Sequence, residues 1–301
     1  MIPSSPSISP ILRIRGGVLP LDDRVHLMGV LNVTPDSFSD GGLYLEPEAA
    51  VSRALAMVEQ GADLLDIGAE STRPGSEPVD ECDELSRLIP VVREVCRKVS
   101  IPVSIDTRKA RVAEEALDAG AAIINDISAL RFDPGLAAVV ARYGAALVLM
   151  HMQGTPKDMQ RAPHYVDVVE DVRVFFRERI LAAVDAGIGL DRIILDPGIG
   201  FGKNLDHNLT LLAGLQDLTT LGRPVLVGVS RKAFIGRVLD RLIDERLMGT
   251  AAAVAVAVIK GVRLVRVHDL DHMRDVVKMV EAIMSHQSST ATTEPKLNAD
   301  S

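Results

Sequence analysis

Eight short apolar runs in this chain each stop at a residue able to do chemistry, and they recur with the spacing of strand, loop, helix, strand. They cover residues 27–31 before Asn32, 64–67 before Gly68 and Glu70, 103–105 before Asp106, and 121–124 before Asn125. The other four cover 146–150 before His151, 193–195 before Asp196, 225–229 before Ser230, and 262–267 before His268. Strands covered on both faces of a parallel sheet read as unbroken Val/Ile/Leu/Ala runs rather than alternating ones. In a closed β/α barrel the reactive groups stand at the carboxyl ends of such strands. The pattern predicts an α/β single domain, an eight-stranded parallel (β/α)8 barrel of the TIM type, with the run-ending residues as a first draft of a site. A barrel of this kind takes about 250 residues, which 301 residues accommodate.

Helical patterns fill the intervals. Residues 46–60 end at Gly61, 84–98 end before Ile101-Pro102, 109–119 at Gly120, 134–143 at Gly144, 166–186 at Gly187 and 247–260 at Gly261. Such Gly and Pro stops mark helix exits, and repeated strand–helix units imply right-handed parallel crossovers. A doubly wound open sheet is the competing fold. It usually carries a Gly-rich phosphate turn after its first strand, whereas the segment here is NVTPDSFSDGG, residues 32–42. Residues 1–20 are Pro/Ser-rich and then β-like, and read as a loose arm leading to the barrel floor. Residues 21–285 read as the barrel, and 286–301, HQSSTATTEPKLNADS, have the composition of a disordered tail.

Charge and cysteine usage exclude some functions. The net charge of −8, the absence of Trp and the lack of a Lys/Arg cluster interleaved with aromatics argue against a nucleic-acid groove. Cys82 and Cys96 form no CxxC pair. On one helix they would stand about 21 Å apart, beyond reach of a disulfide, which fits a reducing cytoplasm. The opening MIPSSPSISP has neither the basic start nor the apolar stretch of a signal peptide. The small-residue run 251–259 is about half the length needed to span a bilayer.

Several segments carry candidate chemistry. GIGFGKN, residues 198–204, imitates a phosphate loop, but its glycines are one residue too close and Asn204 stands where a hydroxyl belongs. The informative part is Asp196-Pro197-Gly198, a carboxylate at a strand end followed by a forced turn. Ser230-Arg231-Lys232 opens a helix with two cations, against a macrodipole that prefers anions there by about 0.3–1 kcal/mol per charge; an anionic or electron-rich ligand would offset this. Asp106, Asn125 and Asp196 offer acceptors, and through the amide also donors, to the edge of a flat heterocycle bearing adjacent N–H and NH2 groups. Across the mouth, Asn32, Arg73, Arg266 and His268 supply a metal-competent oxygen and three anion partners. The Gly/Pro/Ser/Asp-rich loops 32–42, with Phe38 inside it, and 70–78 suit lids that close over substrate.

Taken in order, MGVLNVTPDSFSDGG, GADLLDIGAESTRPG, SIDTRKARVAEEAL, NDIS, LMHMQGTP, ILDPGIGFGK, GVSRKAFIG and RVHD resemble the dihydropteroate synthase family, over roughly residues 27–285. The departures are SAL at 128–130, where the family often has glycines, and the longer tails. The resemblance implies a transferase of folate biosynthesis that joins 7,8-dihydropterin-6-ylmethyl diphosphate to 4-aminobenzoate, releasing diphosphate. It implies that Asp106, Asn125, Asp196 and Lys232 hold the pterin, with Met152 and Phe201 flanking it. Thr72, Arg73, Arg266 and His268 would hold the leaving diphosphate, and Asn32 would bind Mg2+, with Asp36 at the metal or its water. Phe38, Pro74 and Ser230 would border the aminobenzoate. A cytoplasmic homodimer with small-molecule partners and no membrane or nucleic acid is implied. Three rival readings are a corrinoid-linked pterin methyltransferase, which should lack SRKAFIG and the TRPG loop, a silent paralogue, which should have lost Asn32, Arg73, Lys232 or His268, and a Schiff-base aldolase using Lys232, which leaves the carboxylates without a role.

Overall fold

The computed structural model describes residues 11–21, 24–33, 47–71 and 75–291, with side chains described through residue 286. A hairpin of β1 (Ile11–Ile14) and β2 (Gly17–Pro20) precedes eight parallel strands. These are β3 (His26–Asn32), β4 (Leu64–Gly68), β5 (Val103–Asp106), β6 (Ile123–Asp126), β7 (Ala146–Met150), β8 (Ile193–Asp196), β9 (Leu226–Gly228) and β10 (Leu264–Val267). They pair in the order β8-β7-β6-β5-β4-β3-β10-β9. The open edge is bridged where Leu195 meets Val225 and its N–H donates to Pro224 O at 3.0 Å. The barrel is therefore nearly closed, as the run pattern implies.

The connecting helices are α1 (Pro47–Glu59), α2 (Glu81–Lys98), α3 (Ala110–Asp118), α4 (Leu136–Tyr143), α5 (Val168–Asp185), α6 (Leu205–Ala213), α7 (Leu215–Thr219), α8 (Ala233–Leu239), α9 (Leu247–Ile259) and α10 (Leu270–Ala291). Local chemistry sets their ends. Asp80 caps α2 by accepting from Cys82 N at 2.8 Å, and that helix opens with Glu81, Asp83 and Glu84 and closes with Arg97 and Lys98, matching its dipole. Gly144 ends α4 in the left-handed conformation, φ 60°.

The two-residue strand period decides what enters the barrel. Met28, Leu64, Ile123, Val148, Ile194, Leu226 and Leu264 form a buried inner layer together with Leu12, Ile14, Leu19 and Leu21 of the N-terminal segment. The intervening Leu65, Ile67, Ile105, Ile124, Leu149, Leu195, Val227 and Val265 join the helix-facing core. Residues 11–20 are thus no loose arm: Leu12, Ile14 and Leu19 pack into the barrel-floor layer. At the other end, α10 continues to Ala291, beyond the boundary at 286 where the sequence reads as tail. Two residues along each strand from the floor layer, on the same inward parity, come Val30, Asp66, Asn125, Met150, Asp196, Gly228 and Arg266. That second ring is where the polar groups begin.

Candidate active site

Three carboxylates, an amide and two cations converge at the carboxyl end of the barrel. Arg266 on β10 donates from Nε to Asp66 Oδ2 at 2.7 Å and reaches Asp106 Oδ2 from Nη2 at 3.4 Å. Asn125 on β6 donates from Nδ2 to the same Asp66 oxygen at 3.0 Å. Asp106 and Asn125 are register partners on neighbouring strands. Small residues make the room: a Cβ at Gly68 would stand 3.1 Å from Asp106 Cβ, and one at Gly228 would stand 3.8 Å from both Arg266 Cβ and Lys232 Nζ.

Asp196 ends β8 and turns one oxygen onto the N–H of Gly198 at 2.7 Å. Gly198 has φ +63°, and a Cβ there would lie 2.0 Å from the carbonyl oxygen of His151, so only glycine fits this turn. The loop that follows aims the Ile199 carbonyl at Lys232 Nζ, which donates to it. The ammonium also stands 4.6 Å from the Phe201 ring centroid, a cation–π distance. Phe201 packs against Ile127, Met150, Met152 and Met159, an apolar wall of the mouth. Met152 is held from behind, its carbonyl accepting from Arg131 Nη2 at 2.8 Å.

Burial reshapes the charges. It pushes the Asp106 carboxyl up to about 8, aided by Asp66 and opposed by Arg266. Burial also raises Asp196, opposed by Lys232 and the Gly198 N–H. It lowers Lys232 to about 8, with Asp196 pulling the other way. Burial therefore favours the neutral form of Asp106 and the neutral form of Lys232.

On the other flank, His268 receives its orientation from Ser230, whose Oγ lies 2.9 Å from Nδ1 and accepts from the His268 N–H at 3.3 Å. Asn32, half-buried at the end of β3 on the inward parity and opposite Gly68, presents its amide to the mouth. Of the other expected site residues, Asp36, Phe38, Thr72, Arg73 and Pro74 lie outside the described residues.

Some expectations are corrected by the coordinates. Arg266 does not stand across the mouth from the carboxylates; it lies between Asp66 and Asp106, because inward parity and a long side chain bring it there. Nor does Arg231 need a ligand to offset the dipole of α8. It forms a two-pronged pair with Asp269 at 3.0 and 2.6 Å, while only Lys232 turns inward. Nor is every run-ending residue in the mouth. His151 follows an inward Met150, so it points the other way, 5% exposed, with Lys203 Nζ 3.0 Å from its Nδ1. Burial, then Lys203 and Arg131, push it down to about 2, and it is neutral structure.

Three groups escape sequence reasoning. Asp66 sits inside an apolar run, and a lone charge in a buried strand was the available signal. Lys203 is wholly interior, donating to Gly198 O and Phe201 O, each at 3.0 Å, and so bracing the loop that carries Ile199 and Phe201. Lys109 gathers Glu70, Glu84 and the Val79 carbonyl at 2.7, 2.5 and 2.7 Å; nothing in its local sequence marks it.

The sequence profile described as "pterin binding enzyme" matches residues 28–268. The chain belongs to the pterin-binding enzyme family. Among members of this pterin-binding family, the dihydropteroate synthase of Synechocystis sp. is 45% identical over 261 residues, covering 86% of this chain and 90% of that one. The Xanthomonas albilineans dihydropteroate synthase with 4-aminobenzoic acid superposes with a TM-score of 0.86 at 47% identity, covering 92% of this chain and 99% of that one. The same enzyme in complex with 7,8-dihydropteroate gives a TM-score of 0.83 at 45% identity over the same shares.

Proposed function

We propose that this chain is a dihydropteroate synthase, a transferase that joins 7,8-dihydropterin-6-ylmethyl diphosphate to 4-aminobenzoate and releases diphosphate. The observation that carries the reading is the inward ring of Asp106, Asn125, Asp196, Lys232 and Arg266 over one mouth, in a chain 45% identical to a known synthase over 261 residues. A silent paralogue should have lost Asn32, Arg73, Lys232 or His268, and all four are present; a corrinoid-linked methyltransferase is disfavoured by the relatives matched.

The reaction breaks the C–O bond between the pterin methylene and diphosphate, whose oxygen keeps the electron pair. The amine nitrogen of 4-aminobenzoate forms the new bond to the methylene carbon and then loses a proton to solvent. As the C–O bond opens, positive charge spreads over the pterin and negative charge collects on the diphosphate, so the protein's task is electrostatic preorganisation at two places. Asp196 accepts from the N3 and 2-amino edge, Asn125 meets the N1 and 2-amino edge, and Lys232 donates to O4 and N5. Asp106, near N8, favours the cation as positive charge develops on the ring. Phe201 and Met152 exclude water from the ring faces. His268, Thr72 and Arg73 take the diphosphate, while Ser230, Phe38 and Pro74 border the aminobenzoate.

Magnesium fits the donors at the mouth. Among the described residues no three His, Cys, Asp or Glu side chains gather into a metal cage, and Asn32 offers one neutral oxygen. Mg2+ commonly keeps several waters and is held by one or two protein oxygens together with substrate phosphates. Asn32, with Asp36 at the metal or its water, would hold it, and the ion would supply charge neutralisation on the leaving group.

A homodimer is supported by an exposed apolar face formed by α8, α9 and α10 and the segment joining α8 to α9. Val238, Leu242, Met248, Ile259, Met279 and Ile283 on it are each at least half exposed. No described helix is long and apolar enough to cross a membrane, and Cys82 and Cys96 are both free thiols; we assign the cytoplasm. The deciding assay is diphosphate release by the purified full chain with Mg2+ and the pterin diphosphate, with and without 4-aminobenzoate. Release coupled one-to-one to dihydropteroate formation is expected; no release under either condition refutes the reading.

A further inference from the structure

Asp66 is fully buried in the middle of β4, in register with Ser104, two residues short of Asp106 on the neighbouring strand. Its Oδ2 is shared by two donors, Asn125 Nδ2 at 3.0 Å and Arg266 Nε at 2.7 Å. A guanidinium can only donate, so the Asp66 oxygen that receives Arg266 Nε is acting as an acceptor. The side of the Asn125 amide that faces Asp66 must therefore be its nitrogen. The consequence appears at the other end of that amide: Asn125 Oδ1 is buried and makes no hydrogen bond within the chain. A buried carbonyl oxygen left unpaired costs about 1–3 kcal/mol, unless a ligand supplies the donor.

We propose that Asp66 is a specificity-determining positioning residue: by fixing the nitrogen of the Asn125 amide beneath the mouth, it presents the amide oxygen as an obligatory acceptor for an exocyclic amino group, so the site selects 2-amino pterins over rings lacking that group. This rests on the pterin reading above. Asp66 touches no substrate; it acts through Asn125. An unanchored Asn125 would be free to turn either end of its amide outward and would accommodate a ring edge with or without the amino group. With the anchor in place, a 2-deamino ring leaves Oδ1 unpaired, and a buried acceptor that loses its donor discriminates strongly.

The test is titration calorimetry on the full chain with 6-hydroxymethyl-7,8-dihydropterin and with its 2-deamino counterpart, reading the ratio of the two Kd values. The wild type is expected to favour the amino ring by at least about tenfold. Asp66→Asn keeps a carbonyl oxygen able to stand where Oδ2 accepts, and it is expected to retain most of that ratio even if both affinities fall. Asp66→Val removes the acceptor, and its ratio is expected to collapse towards one. Should Asp66→Val fail to fold by circular dichroism, Asp66→Ser, too short to reach Asn125, gives the same reading. A wild-type ratio near one overturns the proposal without any variant, and so does an unchanged ratio in Asp66→Val or Asp66→Ser. If the wild type binds neither ring, it is the pterin reading itself that has failed.

Discussion

Lys109 offers the sharpest test of how the rim is held. Its ammonium, 8% exposed, donates to Glu70 at the start of the 70–78 loop, to the Val79 carbonyl at its end, and to Glu84 inside α2. Replacing it by Met keeps the stem's apolar packing and removes the charge. Both carboxylates lie within 2.7 Å of one nitrogen, so their oxygens are no more than about 5 Å apart. At that separation like charges repel by about 3 kcal/mol at an effective dielectric near 20. Arg108 still pairs with Glu70 at 2.9 Å, and Thr107 still donates to Glu84 at 2.8 Å, which keeps the cost in the ordinary range for breaking a buried pair, about 3–5 kcal/mol. Urea unfolding followed by circular dichroism at pH 7 should show the midpoint falling by about 1–1.7 M, for a slope of about 3 kcal/mol/M. Adding Glu84→Gln removes the stranded charge, so the double variant should be more stable than Lys109→Met alone, with a coupling of at least about 2 kcal/mol. A midpoint shift worth less than about 1 kcal/mol, or strictly additive losses, would refute the clamp.

Asp106→Asn should cost activity yet stabilise the fold, and more so at pH 8 than at pH 5. Burial and Asp66 raise the native pKa to about 8, so between the unfolded carboxyl range and about 8 the native state holds a proton that the unfolded chain has lost, and wild-type stability falls as pH rises through that window; melting temperatures for both proteins at the two pH values check it, and equal increments would count against a buried, charge-perturbed Asp106. Gly198→Ala forces a Cβ to 2.0 Å from the His151 carbonyl at φ +63°. The Asp196 turn must then open, and pterin affinity measured by calorimetry should drop at least about tenfold; wild-type affinity would show that this turn does not position Asp196.

The amino-acid sequence by itself determined the strand runs, the Gly and Pro stops between them and the residues placed at strand ends, because these are properties of neighbouring residues: burial on both faces makes a run continuous, and a turn needs a particular residue where it stands. The barrel, the Asp196 turn and the placement of Asp106, Asn125 and Lys232 at one rim were legible on that basis. Which run-ending residue enters the mouth was a question of parity against the floor layer, and only the packing of residues 11–21 beneath the strands displays that reference. It sends Asn125 and Asp196 inward and His151 outward. The partners of Arg231, Arg266, Lys109 and Lys203 lie between 2 and 200 positions away in the chain, and most join separate elements. Asp66 is the clearest instance. Its neighbours in sequence describe a buried strand, while its meaning, an anchor for one amide and one guanidinium, exists only after β4, β6 and β10 close into one ring. Local sequence sets the direction of a side chain, but a hydrogen bond between strands needs the register and curvature that the whole barrel provides.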